Sequence, residues 1–190
     1  MDEEIIREIS KPEKTALVVW DVQNILVERI FNSDEFLTNL NRLIEAAHKK
    51  QIAVFFSKIT PLPDRFESTA RKLFFRKRAM RFTPEELELT IPPARDDIVV
   101  FKNTASIFIG TNFELMVHNA GITTLIFTGI ATEFGIESSG RDSSNRGFFT
   151  VIAKDAVSSP NKDGHERSIQ NMEGLLYLMT TAEILHMWNI

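Results

Sequence analysis

The stretch TGIATEFGIESSGRD, residues 128–142, follows the apolar run TLIF at 124–127 and reads as the end of a buried strand, a tight turn and the first turns of a helix. A strand feeding a helix through a short turn is the repeating unit of a parallel α/β sheet. Helix N-termini above such a sheet are common places for a nucleophile, and here the position holds Gly135.

Working outward, the same pattern recurs. ALVVW (16–20), AVFFS (53–57), DIVVF (97–101), TLIFTGI (124–130) and FFTVIA (148–153) are continuous apolar, β-branched runs, with LYLMT (176–180) as a shorter sixth. Continuous rather than alternating apolarity marks strands buried on both faces, hence a parallel sheet. Between them, SDEFLTNLNRLIEAAHKK places Phe36, Leu40, Leu43, Ile44 and Ala47 on one helical face behind Ser33 or Asp34 as N-cap. NFELMVHNAG stops at Gly121, SSGRDSSNRG at Gly147, and TTAE (180–183) has capping-box spacing ahead of a last helix. The expected architecture is a three-layer α/β/α sandwich with right-handed crossovers, one domain over 1–190. Residues 58–95 are too long for one connection and predict a lid, an interface or a binding insert.

Composition narrows the function. A net charge of −4 argues against a nucleic-acid binder, which needs a basic face. No run approaches the roughly 18 apolar residues of a membrane span, and no secretory leader opens the chain, so a cytoplasmic location is expected. With no cysteine there is no disulfide, thiolate metal site or thiol catalysis. His48, His118, His165 and His186 are scattered.

Ligand crevices of open parallel sheets lie beyond the carboxyl ends of the strands. The polar residues expected there are Asp21 in VVWDVQN, Lys102 in VVFKNTASIFIGT, the turn TGIATE, and Asp155 in IAKDA. Asp21 and Lys102 each end a buried run, Asp155 opens a loop, and Gln23 either orients a ligand or satisfies loop backbone.

Taken together, WDVQ, FKNTASIFIGTNFE, TGIATEFGIESSGRD, HERSIQNM and TTAEIL resemble the isochorismatase-like hydrolase family, from about residue 15 to the C-terminus. The resemblance implies a six-stranded parallel sheet in the order 3-2-1-4-5-6. It also implies Asp21 and Lys102 as catalytic residues and a cis peptide between Ile130 and Ala131, whose turn aims N–H groups at substrate. Gly135 stands where the cysteine hydrolases of the family carry the nucleophile that their aspartate and lysine activate. Glycine at this position resembles the branch that hydrolyses vinyl ethers such as isochorismate. There the aspartate protonates the enol-ether carbon and water attacks, the glycine making room for the substrate ring.

On this resemblance the substrate site comprises Gln23, Ile130, Ala131 and Gly135, and the ligand is a small molecule, expected to be a carboxylate. The basic stretch RKLFFRKRAMRF supplies Arg71, Arg76, Arg78 and Arg81 as partners for it. No histidine occurs between positions 49 and 117, where nicotinamidase-like members place a metal motif, so no metal and no cofactor are expected. A homodimer or homotetramer is the expected assembly. Two other readings stand beside vinyl-ether cleavage: a family hydrolase of another substrate using water activated by Asp21 and Lys102, and a catalytically silent binding or assembly protein.

Overall fold

The apolar runs form one sheet. The computed structural model describes residues 3–75 and 82–190, and within them β1 (Thr15–Trp20), β2 (Ala53–Ile59), β3 (Ile98–Lys102), β4 (Thr124–Ile130), β5 (Phe149–Ser158) and β6 (Tyr177–Met179) pair in the order β3-β2-β1-β4-β5-β6. Every strand pairing is parallel. The central strands explain their own composition, since β1 and β4 are buried along their whole length.

Alternate residues of β1 feed two cores. Leu17 and Val19 face the layer built by α1 (Glu3–Ile9), α3 (Ser33–Lys49) and α8 (Thr181–Met187). Ala16, Val18 and Trp20 face the layer of α5 (Phe113–Asn119), α6 (Glu137–Asn145) and α7 (Lys162–Met172). Two short helices complete the set, α2 (Asn24–Val27) just after β1 and α4 (Thr69–Phe75) in the long insert. The predicted stripe of α3 is buried as expected. Its N-cap, however, is Asn32 rather than Ser33 or Asp34, and the Asn32 carboxamide oxygen accepts a hydrogen bond from Ser158 Oγ at 2.5 Å. The capping box of α8 is present, with Thr180 N–H donating to Glu183 Oε2 at 2.7 Å. No helix among the described residues is long and apolar enough to cross a membrane.

One expectation about β5 is corrected. Asp155 does not open a loop, because the strand continues to Ser158. The register passes from Phe127↔Ile152 to Gly129↔Val157, so the extra residues of β5 bulge out and carry Asp155 away from the crevice. Its Oδ1 instead accepts from the Thr181 N–H at 2.7 Å and from Thr181 Oγ1 at 2.9 Å, satisfying the first turn of α8. Asp155→Ala is therefore expected to lower stability by about 1 kcal/mol, the usual worth of a helix N-terminal partner. That corresponds to a fall of roughly 2–4 °C in melting temperature for a chain of this size. A thermal melt by circular dichroism measures it, and an unchanged melting temperature would refute the role.

Candidate functional site

Asp21 is the first residue past β1 and is held at φ +46°, a left-handed conformation that Asp tolerates better than most residues. Its backbone N–H donates to Ser57 O at 3.2 Å and Ser57 Oγ at 3.0 Å. Ser57 Oγ in turn donates to Asp21 Oδ1 at 2.6 Å, which fixes the side chain by its own backbone neighbour. Lys102 comes from β3, two strands away, a lateral distance of roughly 10 Å. Its side chain crosses over β2 and places Nζ 2.5 Å from Asp21 Oδ2. Lys102 Nζ also donates to the Thr104 carbonyl at 3.3 Å.

Both charged groups are nearly sealed, Asp21 at 2% and Lys102 at 3% exposure. Burial pushes the Asp21 carboxyl above the usual carboxylate range, while the Lys102 charge and the hydrogen bonds from Lys102 and Ser57 pull the other way. Desolvation is the larger effect, so the pair is poised to accept a proton on Asp21 at a pH where a surface aspartate would stay ionised.

The cis peptide expected at the end of β4 is present. The Ile130–Ala131 bond is cis, and a π-helical turn, Thr132–Ile136, leads into α6. Thr132 Oγ1 bonds the Ser158 carbonyl at 3.1 Å and lies 2.8 Å from His165 Nδ1, tying the turn to β5 and α7.

Gly135 has a reason that the sequence did not reveal. A Cβ built on it would overlap the Nε1, Cε2 and Cζ2 atoms of the Trp20 indole. The space freed by the glycine is thus occupied by the protein's own tryptophan, not left open for a substrate ring. Trp20 is 1% exposed, and its ring centre lies 4.0 Å from Lys102 Nζ. Gly129, at φ +117°, serves the same residue from the backbone side, since a Cβ there would strike the Trp20 carbonyl.

Gln23 takes the second of its two readings. Its Oε1 accepts from Ile59 N–H at 3.0 Å, and its Nε2 donates to Leu87 O at 2.7 Å and Ile59 O at 3.3 Å. Around it, residues 22–25 are stitched to the returning half of the insert. Asn24 N–H donates to Glu88 O at 2.9 Å, Ile25 N–H to Glu86 O at 3.0 Å and Thr90 N–H to Val22 O at 2.9 Å. Of the arginines expected to meet a carboxylate, Arg71 lies on α4, while Arg76, Arg78 and Arg81 fall outside the described residues. Among the described residues no group of three acidic or imidazole side chains is arranged to hold a metal ion. Sequence reasoning missed Ser57 and Trp20, which both sit at the ends of apolar runs and are register partners across β1 and β2.

Comparisons with known proteins bear on the family and the fold. The isochorismatase domain model matches residues 15–183. The isochorismatase family protein YecD of Escherichia coli O157:H7 is 38% identical over 76 residues, 40% of this chain and 40% of that protein. The ureidoacrylate amidohydrolase RutB of Pseudomonas savastanoi pv. phaseolicola is 28% identical over 198 residues, covering 86% of this chain and 78% of that one. In structure, a cysteine hydrolase from Pseudomonas syringae pv. phaseolicola superposes with a TM-score of 0.85 at 20% identity, covering 94% of both chains, which shows a shared fold.

The overlap at Gly135 generates a stability test. Gly135→Ala is expected to destabilise the protein by about 1–3 kcal/mol, the range for over-packing a filled core. Combined with Trp20→Leu, it should cost clearly less than the sum of the two single changes, because the smaller side chain vacates the space. Urea titrations of the four proteins close the cycle, and strict additivity would mean that the two residues do not compete for the same space.

Proposed function

The chain belongs to the isochorismatase family, and from that premise we propose that it is a hydrolase in which water, rather than a protein side chain, is the nucleophile and Asp21 carries the proton. The observation that supports this reading most is the pairing of an intact Asp21–Lys102 contact with an indole in the thiol's place. Covalent acyl transfer needs an activated nucleophile, and the chain has no cysteine. Ser139 does not substitute, since its Oγ is buried between Ile107 N–H at 3.3 Å and the Ala105 carbonyl at 3.4 Å.

Two substrate classes suit such a centre. An amide or ureido bond, the kind named for the related ureidoacrylate amidohydrolase, is cleaved with Asp21 taking a proton from the attacking water. A vinyl ether such as isochorismate is cleaved with Asp21 as acid. Its proton passes to the enol-ether carbon, water adds to the resulting oxocarbenium ion and returns a proton to Asp21, and the hemiketal then breaks to a ketone and an alcohol. Burial raises the affinity of Asp21 for a proton, which favours this second course over the first. In both, Lys102 and Ser57 hold the two carboxyl oxygens in fixed directions.

The pH profile separates them. An acid must be protonated, so vinyl-ether turnover should fall as pH rises through the raised Asp21 pKa, above the ordinary carboxylate range. A base must be ionised, so amide turnover should rise over the same interval. In either case Asp21→Asn is expected to reduce kcat/KM by at least about 100-fold, the scale of general acid–base catalysis, whereas Ser138→Ala leaves it largely unchanged. The measurement is steady-state turnover of isochorismate and of ureidoacrylate from pH 4 to 9. Near-native turnover by Asp21→Asn would remove Asp21 from the chemistry, and turnover of neither compound would favour the silent binding protein.

A further inference from the structure

We propose that Trp20 is a positioning residue: its indole face lies against the Lys102 ammonium and keeps it aimed at Asp21. The inference rests on the Asp21–Lys102 pair of the reading above but not on any substrate being turned over.

The geometry carries it. The Lys102 ammonium has the Asp21 carboxyl at 2.5 Å, the Thr104 carbonyl at 3.3 Å and the Trp20 ring centre at 4.0 Å. An ammonium over an indole face is attracted by the negative face of the ring, most strongly where water is excluded, and here both residues are at 3% exposure or less. The ring is fixed in that position from several sides. Gly135 admits its edge, Gly129 lets β4 approach its backbone, and Phe55, Phe113, Phe127 and Ile136 share its core. Trp20 and Gly135 are therefore complementary parts of one arrangement, with the large side chain on β1 and the missing one at the turn.

The arrangement also answers a charge problem. Whenever Asp21 holds a proton, Lys102 loses the carboxylate's charge, which is costly for a buried ammonium. The indole face offers compensation that does not titrate. Lys102 consequently keeps its direction in both protonation states of Asp21, which a catalytic cycle through that carboxyl requires.

The test needs no substrate. The full chain is labelled with 15N-lysine, and hydrogen exchange of the Lys102 ammonium is followed by NMR, with assignment by its loss in Lys102→Met. The unsubstituted protein is compared with Trp20→Phe, Trp20→Leu and protein containing 5-fluoro- or tetrafluorotryptophan. Fluorine withdraws electron density from the ring face while nearly preserving shape. Exchange should accelerate stepwise with fluorination, reaching roughly tenfold or more in the tetrafluoro protein, the scale of a desolvated cation–π contact. Trp20→Phe should retain more protection than Trp20→Leu. Trp188 is labelled too, but it belongs to the opposite core and leaves the Lys102 signal unaffected. Should Trp20→Leu fail to fold, the fluorinated proteins decide alone. Equal exchange in tetrafluoro and unsubstituted protein overturns the proposal, as does the absence of a protected Lys102 signal in the unsubstituted protein. An error in the hydrolase reading would instead appear as missing turnover with this signal intact.

Discussion

A carboxyl and an ammonium are held in contact at the tip of a parallel sheet, with one strand lying between the strands that supply them. Bringing two ions out of water costs several kcal/mol each, and their attraction offsets this only with good geometry and satisfied hydrogen bonds. Much of the local sequence follows from that demand. The intervening strand presents Ser57, whose hydroxyl both accepts from the Asp21 N–H and donates to its carboxyl. The chain turns sharply at Asp21 so that backbone and carboxyl both meet that serine. Losing either charged partner would leave the other buried alone, at a cost of about 3–5 kcal/mol. The pair is thus a structural commitment as much as a chemical one.

The sheet was legible because its central strands are buried on both faces, which leaves unbroken apolar runs in the sequence, and the half-exposed edge strand β3 keeps the same apolar run. Asp21 and Lys102 were legible for the complementary reason that a polar residue closing such a run stands out. Trp20 was not, because a tryptophan ending TALVVW looks like any core residue. Only the overlap with Gly135, more than a hundred positions away, gives it meaning. The far part of β5 was hidden because Lys154 and Asp155 interrupt its apolar pattern at the bulge. Gln23 illustrates a third limit: a buried carboxamide reads the same whether it meets a ligand or, as here, three backbone groups.

Glycine at the nucleophile's position first looks like a deletion, a thiol removed to enlarge a pocket. The indole changes that interpretation. The volume is refilled from beneath by an aromatic side chain that cannot attack a carbonyl but can accompany a cation. Restoring a sulfur at residue 135 would then be blocked by a neighbour on β1, so the two positions are committed to each other.

The stitching of residues 22–25 to 85–90 has an implication for how such a chain can change in length. Val22, Asn24 and Ile25 are bonded through their backbones, and the Gln23 and Asn24 side chains add bonds to Leu87, Glu85 and Thr90, so the contact is sensitive to register. A single-residue shift between 85 and 90 would swap every donor for a mismatched neighbour and pull on the segment that sets the direction of Asp21. The end of the long insert is therefore a short seam that must keep its count.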